Sequence, residues 1–124
     1  MSAEENRHST EEAYAAFDNG DAEGAMRNLD DSIQWIARGH NALTGTYEGK
    51  AAVAELWGKL MSKEFKTRPH DFVADGDKVV ALCTVTLEGE SGESADVLTF
   101  NDAGRVISFD TLGDEAIPNR VFAN

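Results

Sequence analysis

Residues 32–62 read SIQWIARGHNALTGTYEGKAAVAELWGKLMS, and three local patterns follow one another within them. Ser32 to Ala37 sets Ile33 and Trp35 against Gln34, the alternation of a half-buried strand, with Ile36 breaking the pattern. Arg38 to Gly49 carries Gly39, Gly45 and Gly49, so it reads as a loop, or a loop with one short strand. Lys50 to Ser62 then places Val53, Leu56, Trp57, Leu60 and Met61 on one face at helical spacing. Gly58 lies inside that helix and costs it about 1 kcal/mol relative to alanine.

N-terminal to this core, Ser9 and Glu12 fit a capping box, in which each side chain satisfies a free backbone N–H of the other. The helix they open is expected to pack through Tyr14 and Phe17 and to stop at Asn19-Gly20, leaving residues 1–8 as a loose tail. Asp21 caps a second short helix reaching about Leu29, and Asp30-Asp31 read as a helix end and a turn. C-terminal to the long helix the pattern turns to strands. Phe72-Val73 precedes an Asp75-Gly76 turn, and Val79 to Leu87 is a β-branched run suited to a central strand. Gly89 to Gly92 reads as a polar turn, Val97 to Phe100 as a strand, Asn101 to Gly104 as a turn and Val106 to Leu112 as the last strand. Residues 113–124 leave room for one helical turn, broken at Pro118. Helices followed by consecutive hairpins predict an α+β fold with a mostly antiparallel sheet, in one domain spanning 1–124.

Charge and composition narrow the function. Lys and Arg number 11 against 23 Asp and Glu, a formal net charge of −12. Such a chain repels phosphate backbones and anionic lipid, so neither nucleic acid nor membrane is the expected partner. One cysteine, Cys83, allows no intrachain disulfide, and the polar start MSAEENRHSTEE lacks the apolar segment of a secretory signal. A cytoplasmic location is the expectation. Glycine-rich phosphate loops, paired zinc ligands and GxSxG elbows are absent from the sequence, so neither cofactor nor metal is expected. Cys83, flanked by apolar residues in a strand, reads as a buried, unreactive thiol.

The stretch Trp35 to Gly49 resembles the SnoaL-like branch of the nuclear transport factor 2-like superfamily, which includes ketosteroid isomerase, polyketide cyclases and scytalone dehydratase. Phe17 to Asp21 looks like the turn between that family's first helices, and Leu29 to Asp31 like the lead-in to its first strand. Phe100 to Val106 looks like the hairpin before its last strand, so the similarity runs from about Glu11 to Asp114. The resemblance implies a cone-shaped, cystatin-like α+β roll, its curved sheet wrapped around the helices to enclose an apolar pocket. It also implies a homodimer packed sheet to sheet. Ketosteroid isomerase uses an Asp base and an oxyanion hole made of a Tyr and a protonated Asp. By family position, the protonated Asp falls on Asp96, the Tyr on Ala13 with Tyr14 next to it, and the base on Ala37.

Asp96 and Tyr14 are therefore the candidate catalytic pair, for acid–base work on a small, mainly apolar ring metabolite. Leu56 and Trp57 match the family's pocket-lining pair on the long helix. Trp35, Phe109 and Thr111 are the expected strand contributions, with Phe17 and Leu98 beside them. Thr84 offers a hydroxyl if its strand has a wet inner face, and His40 a titratable ring at the rim. The alternative is the same pocket without chemistry, as a module for binding an apolar ligand or for dimerisation.

Overall fold

The structure is a computed structural model and describes Ser2–Asn124; Met1 lies outside the described residues. Ten elements follow in order: α1 (Ala3–Asp18), α2 (Ala22–Met26), β1 (Leu29–Ala37), β2 (Gly45–Glu48), α3 (Lys50–Met61), β3 (Lys66–Asp75), β4 (Lys78–Leu87), β5 (Glu90–Phe100), β6 (Val106–Gly113) and α4 (Ala116–Val121). The six strands form one sheet in the order β2-β1-β6-β5-β4-β3. All neighbours are antiparallel except β1 and β6, which run parallel. The sheet is curved, as the α+β roll requires. α1 packs over β3 and β4, and α3 over β1 and β2, so the helices lie inside the curve.

Three boundaries differ from the sequence expectation, and each has a physical cause. The motif Ser-x-x-Glu occurs twice, at Ser2–Glu5 and Ser9–Glu12, and the first is the cap. Ser2 Oγ accepts from the Glu5 N–H at 3.1 Å while Glu5 accepts from the Ser2 N–H at 3.0 Å. Residues 3–8 are thus the first turns of α1, not a loose tail. Next, β1 begins at Leu29, so Asp30, half-buried, and Asp31, exposed, are strand residues rather than a helix end and turn. Finally, β3 and β5 are much longer than expected. Pro69 obscures β3, but β3 is an edge strand with a bulge between Pro69 and Asp71, where a missing N–H is tolerated. The β4–β5 turn is only Glu88-Gly89, both with positive φ (48° and 83°), because Leu87 already pairs with Glu90. Gly92, Ser94 and Asp96 consequently lie within a strand.

The core sits between the helices and the concave sheet face. Ile33, Val53, Val79 and Val106 are fully buried, packed with Leu29, Leu98 and Phe100. A second apolar cluster of Leu43, Leu56, Leu87 and Phe122 ties α4 to α3 and the β1–β2 loop. Pro118 does not break α4, because it falls in the first turn, where N–H groups have no helical acceptor. Among the described residues, no helix is long and apolar enough to cross a membrane.

Candidate functional site

The long β5 decides the site. Alternation along it turns Gly92, Ser94, Asp96, Leu98 and Phe100 to the concave face, and Glu93 outward. Asp96 pairs across β5 with Thr111 on β6 and with Ala81 on β4, so all three share that face. The concave face and the helices enclose a cavity of about 200 Å³. Its walls are mostly apolar and aromatic.

Asp96 lies on this wall with only 5% of its surface exposed. The Tyr14 hydroxyl, brought over by α1, donates to Asp96 Oδ2, and the Cys83 thiol donates weakly to the same oxygen at 3.7 Å. Burial pushes the Asp96 carboxyl up to about 6, although hydrogen bonds from Tyr14, Thr111 and Cys83 oppose the rise. Burial first, and the Asp96 charge second, push the Tyr14 hydroxyl well above its ordinary value. The same two causes push Cys83 up to about 12, so the thiol is an unreactive neighbour. Desolvation dominates all three groups. The result is a carboxyl able to change protonation near neutral pH, held by a neutral phenol.

The aromatic walls are set by sheet register and by α3. Trp35 pairs with Phe109 across the parallel β1–β6 ladder, and their rings stack 3.6 Å apart at 9°. Trp57 meets Trp35 nearly edge-on at 5.6 Å, and Phe17 meets Trp57 at 5.1 Å and 84°. Phe17, Trp35, Leu56, Trp57, Leu98 and Phe109 all line the cavity, as does Thr111.

Two expected lining residues do not. Thr84 falls on the convex face because β4 turns its odd-numbered residues Val79, Ala81 and Cys83 inward; its hydroxyl donates to Glu93 Oε2 at 2.7 Å. His40 is exposed on the β1–β2 loop, and only its backbone N–H is engaged, donating to Asn119 Oδ1 at 2.7 Å. Its flanks Arg38 and Asn41 reach the cavity instead. Ala37, the family position of the base, also lines the cavity as a methyl group.

Some lining residues escaped the sequence. Thr67 lies in β3, whose strand pattern Pro69 obscures, and Ser94 lies between the expected turn and the expected strand. The hydroxyl oxygen of Ser94 is buried without a partner. α4 contributes Ile117 and Pro118, with Phe122 just beyond its end. Asn119 ties this end of the chain to the β1–β2 loop by accepting from His40 N–H and from Asn41 Nδ2 at 3.0 Å, and Ala42 N–H donates to Phe122 C=O at 2.7 Å. Among the described residues, no cluster of three or more His, Cys, Asp or Glu could hold a metal ion.

A curved six-stranded sheet closed by helices around an apolar cavity is the architecture of the α+β roll. The SnoaL-like domain matches residues 10–109, and the chain belongs to that family. A search of curated protein sequences finds no significant match. Among solved structures it is similar to Bal32a from a soil-derived mobile gene cassette, at 23% identity, TM-score 0.88 and 98% of each chain. It is similar to a nuclear transport factor 2-like protein of unknown function from Burkholderia pseudomallei, at 26% identity, TM-score 0.84 and 100% of each chain. It is also similar to TerC co-crystallised with polyporic acid, at 20% identity, TM-score 0.81, covering 97% of this chain and 99% of that one.

Proposed function

We propose that this protein binds a small, mainly apolar ring metabolite and acts on it by acid–base chemistry, with Asp96 moving the proton and Tyr14 orienting Asp96. The observation that carries this reading is the placement of the Asp96–Tyr14 pair on the wall of an otherwise apolar cavity. A carboxyl at about 6 is matched to proton transfer near neutral pH, where a general acid or base contributes about 10²–10⁴-fold. Protonated, it donates to a ligand oxygen; ionised, it accepts a proton from the ligand. The TerC–polyporic acid structure supports an organic ligand for a fold of this kind.

The test uses a panel of ring ketones and phenols. Saturable change in the fluorescence of Trp35 and Trp57 reports binding, and mass spectrometry reports product. The reading expects a bound compound that is converted by the wild type and not by Asp96→Asn. Conversion that is unaffected by Asp96→Asn contradicts it.

Ala37 favours a second reading, binding without turnover, because the position of the family's base carries only a methyl group. That reading expects tight ligands and no product from any of them. A homodimer packed sheet to sheet is part of either proposal. Val73 and Leu112, 55% and 43% exposed on the convex face, support it, and sedimentation velocity tests it.

A further inference from the structure

The charges around the cavity are one-sided. Among the described residues that line it, Arg38 is the one basic side chain. Arg38 is already engaged: its Nε and Nη2 donate to the two Asp110 oxygens at 2.7 and 2.8 Å, and Glu115 adds a second negative charge nearby. Of the acidic lining groups, Glu93 points outward and pairs with His70 at 3.1 Å, and Glu115 lies near Arg38. Asp96 has only neutral hydrogen-bond donors, Tyr14 from α1, Cys83 from β4 and Thr111 from β6, and no described Lys, Arg or His forms an ion pair with it. Asp114 lies over Gly92, accepting from the Ala116 N–H at 2.9 Å, and Glu115 follows it at the start of α4. α3 presents Leu56, Trp57 and Leu60 to the cavity and adds no charge there.

Two further features point to what fills this space. Trp35, Trp57, Phe17 and Phe65 meet at near-right angles, with Phe17 and Phe65 6.0 Å apart at 79°. They pack edge to face against one another, and with Phe109 stacked on Trp35 they form an aromatic wall against which the ring of a ligand can lie. The hydroxyl oxygen of Ser94, a lining residue, is buried without a partner. Buried polar atoms of this kind are rare in the absence of a ligand or water to meet them.

We propose that the ligand of this cavity is an organic cation: an apolar ring bearing an amine or quaternary ammonium group, with the cationic centre against Asp96 and the ring against the tryptophans. The inference rests on the reading of the cavity as a ligand site and adds the charge class to it. A buried carboxylate without a basic partner, in a chain of net charge −12, favours cations and disfavours anions. A cation beside Asp96 also supplies the counter-charge that burial otherwise denies the carboxylate.

The experiment compares three probes of one shape class on the wild-type protein by tryptophan fluorescence: phenyltrimethylammonium, its neutral carbon isostere tert-butylbenzene, and benzoate. The cation is expected to bind about tenfold more tightly than the isostere at pH 8 through its pairing with the Asp96 carboxylate, with benzoate weaker than both. Lowering the pH through about 6 protonates Asp96 and is expected to erase most of that advantage. This arm needs no variant. Asp96→Asn, checked for folding by circular dichroism, is expected to remove the advantage at pH 8. An isostere that binds as tightly as the cation, or an advantage unchanged by pH and by Asp96→Asn, overturns the charge assignment and leaves the pocket reading standing. If none of the probes binds, the pocket reading fails and the inference fails with it.

Discussion

The Tyr14 hydroxyl donates to the Asp96 carboxylate across 82 residues of chain, joining the first helix to the middle of β5. This bond couples the placement of α1 over the sheet to the protonation of the Asp96 carboxyl in the cavity wall. Tyr14→Phe removes a donor that favours ionised Asp96, so the carboxyl is expected to titrate higher still, by about one pH unit. The loss is expected to cost about 1–3 kcal/mol of stability, because it leaves a buried acceptor short of a partner. Carboxyl carbon chemical shifts against pH check the first effect, and urea unfolding the second.

Asp96 also links stability to pH, in a direction opposite to most carboxylates. Its folded value, about 6, lies above that of the unfolded chain, so the folded state holds the proton more tightly. Its contribution is present below about pH 4 and is lost as pH rises through 6. The displacement is worth about 3 kcal/mol. Asp96→Asn, neutral throughout, is therefore expected to be more stable than the wild type at pH 8 by up to about that amount, with the difference vanishing at pH 4. Thermal unfolding of both proteins at the two pH values checks the sign. A difference independent of pH contradicts the burial of an ionising carboxyl at this position.

The Trp35–Phe109 stack is expected to be a coupled pair. Each ring forms part of the cavity wall and covers the other at 3.6 Å. Phe109→Ala is expected to cost about 3–5 kcal/mol, as truncating a buried aromatic does. A double-mutant cycle with Trp35→Ala is expected to return about 0.5–1.5 kcal/mol of coupling beyond the lost area. Denaturant unfolding of the two single variants and the double variant measures it.

The C-terminal helix is held by its apolar contacts, by the Arg120–Glu90 pair and by Asn119, which accepts two hydrogen bonds from the β1–β2 loop. Asn119→Ala is expected to speed amide hydrogen exchange at His40 and Ala42 while leaving the β4–β5 ladder protected. Gly39→Ala is expected to disturb the same join. Gly39 sits at φ +111°, and a Cβ there would stand 2.7 Å from Asn119 Oδ1. Exchange monitored residue by residue distinguishes this local opening from global loss of stability.

Much of this fold was legible in the sequence. The helical spacing of Val53, Leu56, Trp57 and Leu60 gave α3 to within a residue, and the loop–strand pattern before it carried the family resemblance. Local signals failed where two of them competed. Two Ser-x-x-Glu motifs lie seven residues apart, and the helix starts at the first, where Ser2 and Glu5 close both bonds of the cap. Pro69 speaks against a strand unless the strand is known to be an edge. Gly89 to Gly92 contains enough turn residues to suggest a loop, whereas a two-residue turn suffices and frees Ser94 and Asp96 for the sheet. For the site, the residue types were legible, and on β4 so was their facing. One step of register decides whether Thr84 or Cys83 points inward, and the apolar odd positions Val79, Ala81, Cys83, Val85 and Leu87 mark Cys83 as the inward one. Asn119 and Phe122 were out of reach because their partners lie about 80 residues away.

The central claim is that Asp96 is a desolvated carboxyl in the wall of a ligand cavity. The most direct measurement is the titration of its side-chain carboxyl carbon by NMR, assigned with Asp96→Asn, in the free protein and with a saturating bound ligand. The account predicts a midpoint near 6 in the free protein, clearly displaced when the ligand binds. An ordinary midpoint near 4 that ligand does not move would contradict it.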